Sequence, residues 1–171
     1  MVKLFLAGLL VFLLIERRLE LKRAERNRKK IIEQGGNEWG GSHYRLFFIL
    51  HGAWFFCWPL EAILRGFKLN PWWLFWLGIF ICADALRYWC MYLLGSLWNT
   101  RIMILPWASP VRKGPYKWFS HPIYFAVSLI LFSVPIIFEA VITAAVISIA
   151  NILLLVFVRI PQEKAALKTL R

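Results

Sequence analysis

Two stretches of the chain hold side chains whose types and spacing could do chemistry together. The first reads Val111-Arg-Lys-Gly-Pro-Tyr116-Lys-Trp-Phe-Ser-His121-Pro122-Ile123-Tyr124, and the second, further along, reads Arg159-Ile-Pro-Gln-Glu163-Lys-Ala-Ala-Leu167. In the first, Ser120 is placed to cap a helix that Pro122 opens. The free amide donors of such a helix start, beside Lys113 and His121, suit a carboxylate or phosphate. Tyr116, Trp118, Phe119 and Tyr124 offer faces to a planar base or a cationic group. The second stretch adds one cation, Arg159, and one anion, Glu163. The same residues also fit an interfacial aromatic belt with orienting charges, and from pattern alone both readings stand. A third constellation, Asp84 and Arg87, lies three residues apart in an apolar run. It either neutralises itself on one helical face or sets Arg87, with Tyr88, on a polar cavity. His51 reads as a hydrogen-bonded packing residue, and Glu61 as a side chain reaching for the outer interface. There is no H-E-x-x-H, no Cys/His cluster and no close carboxylate pair, so no metal site is expected. Cys57, Cys82 and Cys90 all fall in apolar runs and read as buried small hydrophobes.

The elements that must position these residues are membrane helices. Of 171 residues, 60% are hydrophobic and 17% aromatic, against roughly 45–50% apolar residues in soluble domains. That excludes disorder and an ordinary water-soluble domain. A spanning helix needs about 20 apolar residues. Five segments approach this: Val2 to Ile15, Tyr44 to Leu64, Trp72 to Leu94, Pro122 to Ile137 and Ala140 to Val158, the last two forming a hairpin bent near Pro135 and Glu139. The expected fold is therefore all-α, a polytopic bundle of about five transmembrane helices. Residues 1–171 form one membrane domain, with three spans in 1–93, a basic cytoplasmic helix over 16–34, and the chemistry in 94–171. The four glycines at 35, 36, 40 and 41 read as a flexible connector.

Charge orients the bundle. The net charge is +12, but the cations are segregated by loop, not striped along one soluble face, so no nucleic acid partner is expected. Nine, four and four Lys/Arg fall in the segments 17–45, 101–117 and 159–171, which alternating spans would put on one side; the other side holds three, Lys3, Arg65 and Lys68. This places the amino terminus outside and the carboxyl terminus in the cytoplasm. The basic stretch Arg17–Lys30 suits anionic lipid headgroups.

The order Gly114-Pro-Tyr116, then Ser120-His121-Pro122-Ile123-Tyr124, an apolar hairpin, and Arg159-x-x-x-Glu163-x-x-x-Leu167 resembles the isoprenylcysteine carboxyl methyltransferase family, integral-membrane enzymes that use S-adenosylmethionine. The resemblance covers roughly Leu94 to Leu167. It implies cofactor contacts from Tyr116, His121, Pro122, Ile123, Tyr124 and Glu163, and from the loop Ala108, Ser109, Pro110 and Val111. It implies a place near the acceptor for Arg159; for methyl transfer to an acidic enol, a catalytic cation, Arg159 or Arg87, would hold the acceptor's anion against the methyl group. Ser120 stands where the family usually has arginine, and Gln162-Glu163 where it has a doubled glutamate. With Arg87-Tyr-Trp and Trp98-x-Thr-Arg101-Ile, the chain looks more like a bacterial branch thought to O-methylate long-chain alkylpyrones. The resemblance implies a multi-pass protein of the cell membrane (the inner membrane in a bacterium), with its active site toward the cytoplasm and a lipophilic acceptor arriving from the bilayer. The alternatives are a phospholipid N-methyltransferase and, in another class, a non-catalytic basic scaffold subunit.

Overall fold

The computed structural model describes residues 1–168, the side chains of residues 42 and 43 excepted. Arg171, counted above among the orienting charges, lies outside the described residues. Five helical rods make an all-α bundle: α1 (Val2–Glu33), α2 (Gly41–Leu64), α3 (Trp73–Leu94), α4 (Pro122–Ile137), and a last rod in which α5 (Val141–Leu154) runs through a π turn (Leu155–Arg159) into α6 (Ile160–Lys168). Three stretches, Tyr44–Leu64, Trp73–Leu97 and Val141–Lys168, are long and apolar enough to cross a membrane, and Pro122–Ile137 is a shorter apolar helix.

At 32 residues, α1 is about 48 Å long, more than a bilayer's hydrocarbon thickness. Its buried residues, Leu6, Leu9, Leu13, Glu16, Glu20, Ala24, Asn27 and Ile31, recur every three or four positions and so make one stripe. The stripe is apolar to Leu13 and polar beyond. Its polar half docks on the end of α3 and the turn that follows it, where carbonyls have a second acceptor position to offer. Arg23 Nη2 donates to the Met91 carbonyl (3.2 Å) and Asn27 Nδ2 to those of Trp98 (2.7 Å) and Gly95 (3.2 Å). In return, Asn99 Nδ2 donates to the Ala24 carbonyl at 2.8 Å. The basic stretch thus continues the helix that begins at Val2, as expected, but half of it is bolted to the bundle.

The core lies between α2, α3 and the α4–α5 hairpin, where Trp58 stacks on Phe138 (centroids 5.4 Å apart). Pro135 inside α4 has no N–H to give to the carbonyl of Leu131, four residues earlier. Trp54 Nε1 supplies the missing donor at 3.0 Å, a repair that matters where water is absent. α3 packs chiefly on α4, and α2 on α5. Ala140 and Ala144 are buried within this packing, so small residues here serve internal contact.

Four expectations are corrected. Glu61 does not reach for water: its carboxylate caps the start of α5, accepting from the backbone N–H groups of Ile142 (3.1 Å) and Thr143 (2.7 Å), from Thr143 Oγ1 (2.7 Å) and from Arg65 Nε (2.9 Å). A carboxylate there meets both unpaired amides and the positive end of the helix dipole. Ser120 is exposed, and it is His121, not Ser120, that holds the cap position of α4, with no side-chain cap bond. Only Cys90 is buried; Cys57 is half-buried and Cys82 exposed. Finally, the glycine connector contains a strand. β1 (Asn37–Trp39) pairs antiparallel with β2 (Ile102–Ile104), Glu38 opposite Met103. Gly36 permits the approach, since a Cβ there would stand 2.5 Å from Ile31 Cγ2 and 2.7 Å from the Ile104 carbonyl.

Glu38 ties this ribbon down. Its carboxylate takes Arg101 Nη1 at 2.6 Å and Arg28 Nε at 3.1 Å. Partial burial alone would raise its pKa, but the hydrogen bonds from Arg101 and Arg28 outweigh it and hold the carboxyl below its ordinary value of 4.5. A group depressed in the fold adds stability above its unfolded pKa and loses it as pH falls through the folded one. The ribbon's amides are therefore expected to stay protected from hydrogen exchange at neutral pH and to lose protection below about pH 4. In Glu38→Gln protection is expected to be weaker at neutral pH and to lack that acid step.

Candidate functional site

The start of α4 and the π turn converge. Residues four apart in an α-helix drift about 40° around the axis, so Asn151, Leu155, Arg159 and Glu163 would spiral off the bundle's inner face. The slower winding of the π turn holds them closer to one line, and Arg159 is buried at 7% exposure. Its Nε donates to Tyr124 Oη at 3.1 Å and its Nη2 to the Thr100 carbonyl at 3.1 Å. Tyr124 Oη in turn donates to Glu163 Oε2 at 2.7 Å. The His121 ring lies parallel to that of Tyr124, 5.0 Å between centroids, with Nδ1 3.8 Å from Glu163 Oε2. Four of the residues singled out in the two motifs, 35 or more positions apart, thus form one connected group.

Two cavities meet at this group. One is polar, about 830 Å³ of open space lined by Tyr116, Ser120, His121, Glu163, Arg101 and the β2 strand. The other, about 1060 Å³, reaches into the bundle between apolar faces of all five rods, with Leu13, Phe47, Trp54, Val127, Ile130 and Leu131 on its walls. Trp98, Asn99, Ile123, Tyr124 and Arg159 line both. Tyr124 and Arg159 therefore stand at the seam between a polar compartment and an apolar one.

The other expected residues fall in several places. Ile123 is on the seam, whereas Pro122 is fully buried and positions the helix start. Ala108, Ser109, Pro110 and Val111 line neither cavity. Tyr116 sits on the polar cavity against Cys90; burial, then that contact, pushes its phenol above the ordinary value. Arg87 is on the wall of the apolar chamber and pairs with Asp84 (Nη2–Oδ1 2.5 Å), but also with Glu16 (2.7 Å) and Glu20. His51 Nδ1–H donates to the Phe47 carbonyl at 2.8 Å, and the ring lines the chamber too. Sequence reasoning missed Glu16 and Glu20 as partners of Arg87, Thr100 as a support of Arg159, and Asn151, which donates to Ser128 Oγ at 3.0 Å. Asn151 had a signal: it is the one amide within α5, an apolar helix where polar groups are expensive.

Gly114 sets the loop that carries Tyr116. Its φ is +53°, and a Cβ would stand 2.6 Å from Leu93 Cδ1 and 3.2 Å from Trp89. Gly114→Ala meets both the left-handed backbone penalty and the clash, and is expected to lower the thermal midpoint in detergent and displace Tyr116, seen as a rise in its accessibility to iodination. An unchanged midpoint and unchanged iodination would count against this role for the loop.

A helical membrane bundle with a polar and an apolar compartment joined at one buried arginine is the class these features define. The model of the isoprenylcysteine carboxyl methyltransferase (ICMT) family matches residues 76–169, and the chain belongs to that family. It is 36% identical over 160 residues to the uncharacterized protein YpbQ of Bacillus subtilis, covering 94% of this chain and 95% of that one. It is 31% identical over 147 residues to an uncharacterized protein of Haemophilus influenzae, covering 85% and 84%. No solved structure matches it. With three candidate spans and this family, it is an integral membrane protein.

Proposed function

We propose that the protein is an S-adenosylmethionine-dependent methyltransferase acting on a lipophilic acceptor, with its active site at the cytoplasmic boundary of the membrane. The observation that carries this reading is the junction of the polar and apolar cavities at Tyr124 and Arg159. Family membership supports the same reading. The donor set of the polar cavity fits the cofactor. Glu163 offers a partly accessible carboxylate to an ammonium, Arg101 and His121 offer donors to a carboxylate, and Tyr116 and the His121–Tyr124 pair offer flat faces to a base. When bound, S-adenosylmethionine supplies a methyl group on a sulfonium that departs as a neutral thioether while an acceptor oxygen or nitrogen forms the new bond.

The chain's own part is alignment and exclusion of water. Tyr124, held between Arg159 and Glu163, is fixed as a partition between the compartments. Arg159 faces the apolar chamber with a cation that can hold an anionic acceptor oxygen and orient it. We assign this role to Arg159 over Arg87, whose guanidinium is already engaged by three carboxylates. An acceptor with a long alkyl chain and an acidic enol, such as an alkylpyrone, suits the chamber and needs little base catalysis. The surplus of positive charge on this side supports a cytoplasmic position for the Glu163 end, where soluble cofactor is met, and anionic headgroups as neighbours of the exposed Arg18, Lys22 and Lys29.

The test is calorimetric titration of purified protein with S-adenosylmethionine, then labelled methyl donor offered with an alkylpyrone and with phosphatidylethanolamine. The expected result is saturable binding and label in the pyrone. Label in phosphatidylethanolamine instead would make the protein a phospholipid N-methyltransferase. A folded protein with no binding would leave the scaffold reading.

A further inference from the structure

A furrow between α1 and α2 runs from the outer surface of the bundle to the apolar chamber, and Arg17, His51 and Phe55 line both. Its walls are apolar, Leu14 and Leu21 from α1 facing Phe48 and Phe55 from α2. Leu14 and Phe48 are 47% and 59% exposed, which suits an acyl chain lying between the helices. Its rim is cationic. Arg17, Arg18 and Lys22 stand there against a single carboxylate, Glu25. Arg17 leans inward to Glu20 at 3.4 Å, which leaves Arg18 and Lys22, one turn apart and both exposed, as the outward cations. Phe48 lies seven residues, about 10 Å, into α2 from Gly41. The rim is therefore at the depth where basic side chains keep their stems in hydrocarbon and their heads in the headgroup layer. Gly52 forms part of the floor beside His51, and a Cβ on it would meet nothing within 4 Å. The floor is thus open for want of a side chain, and a Cβ can be added there without a clash.

Apolar walls, a surplus of cations at headgroup depth, and continuity with the chamber define one kind of occupant. We propose that the α1–α2 furrow is the lateral door through which the acceptor reaches the chamber, and that its rim selects lipids whose head is negatively charged. The word acceptor rests on the methyltransferase reading; the acidic-lipid site itself does not. Both elements of the door lie outside the residues matched by the family model, 76–169. Further in, Arg17 and Arg87 are already matched by Glu16, Glu20 and Asp84, so anionic and neutral heads are told apart at the outward rim cations Arg18 and Lys22.

The probe is a fatty acid carrying a photoactivatable diazirine in its chain, compared with the fatty alcohol of equal length, each crosslinked to the protein in neutral-lipid nanodiscs and mapped by peptide mass spectrometry. The acid is expected to label residues 14–25 and 48–55 saturably, to be displaced by unlabelled acid, and to exceed the alcohol about fivefold there, the ratio expected from one lost attraction at a membrane surface. The double variant Arg18→Gln/Lys22→Gln is expected to bring the acid down to the alcohol's level. Gly52→Trp, with Gly52→Leu as the milder plug, is expected to abolish labelling of chamber residues 123–131 while S-adenosylmethionine binding by calorimetry stays as in the unaltered chain. Equal labelling by acid and alcohol, labelling that never saturates, or chamber labelling undiminished in both Gly52 variants would overturn the door. If instead the unaltered chain shows the acid pattern and binds no S-adenosylmethionine, the acidic-lipid site stands and the enzyme reading fails.

Discussion

Glu163→Gln is expected to leave the protein folded and to weaken S-adenosylmethionine binding by about tenfold to a hundredfold, the effect of one lost charge-assisted contact of about 1.5–3 kcal/mol. The amide keeps the side chain's shape and can still accept from Tyr124 Oη, now 2.7 Å from Glu163 Oε2, so the variant removes the charge and little else. Tyr124→Phe makes the opposite change: the carboxylate stays, but the phenol that joins it to Arg159 is gone. Binding is then expected to fall less than in Glu163→Gln, and turnover to fall more, because the partition at the seam is no longer fixed from both sides. Arg159→Met is expected to retain cofactor binding and lose transfer, since Arg159 reaches the chamber and the seam while Glu163 lines only the polar cavity. The measurements are calorimetry for binding and label transfer to lipid for turnover. Binding by Glu163→Gln within twofold of the unaltered chain would put the ammonium elsewhere.

What the sequence foretold, and what it hid, divides along one physical line. The bounds of α2, α3 and α4 follow from hydropathy and, for α4, from Pro122, which are local signals, and the structure places them within a few residues of the expectation. The meeting of Tyr124 with Glu163 was legible because both motifs flank one hairpin, whose two ends must return to the same side. The ribbon was not: Asn37–Trp39 and Ile102–Ile104 are three residues each, too short for a period of two to show, and their pairing depends on Gly36 and on the Glu38 ion pairs. Nor could pattern show that Glu61, one more surface acid by its spacing, would reach across to the start of α5. The π turn leaves no compositional mark at all, yet it decides that Arg159 faces inward. Nothing in the spacing of Glu16 and Glu20 sets them apart from the other charges of the basic helix; the register of α1 against α3 is what brings them to Arg87.

That register makes Arg87 the residue whose loss should harm the fold most. Glu16 and Glu20 are 6% and 4% exposed, and with Asp84 they converge on one guanidinium that is itself 8% exposed. Burying three carboxylates beside one arginine is tolerable only while the fork of donors is present, since a buried charge without a partner is destabilising by about 3–5 kcal/mol. Arg87→Met is therefore expected to lower the thermal midpoint in detergent sharply and to free the charged half of α1 from α3, read as hydrogen exchange over residues 16–31. Arg87→Lys keeps the charge but reaches the three acids with a single point of contact, and should fall between. The cause can be separated from general damage by a double-mutant cycle. Adding Glu20→Gln to Arg87→Met should recover part of the lost stability, because one uncompensated acid is removed, although Glu20→Gln alone destabilises. If Arg87 served the acceptor and not the fold, Arg87→Lys would keep the midpoint and α1 protection of the unaltered chain while turnover collapsed. Additive losses in the cycle would likewise mean that the acids and the arginine do not hold one another, and that α1 is anchored by its Asn27 and Arg23 contacts alone.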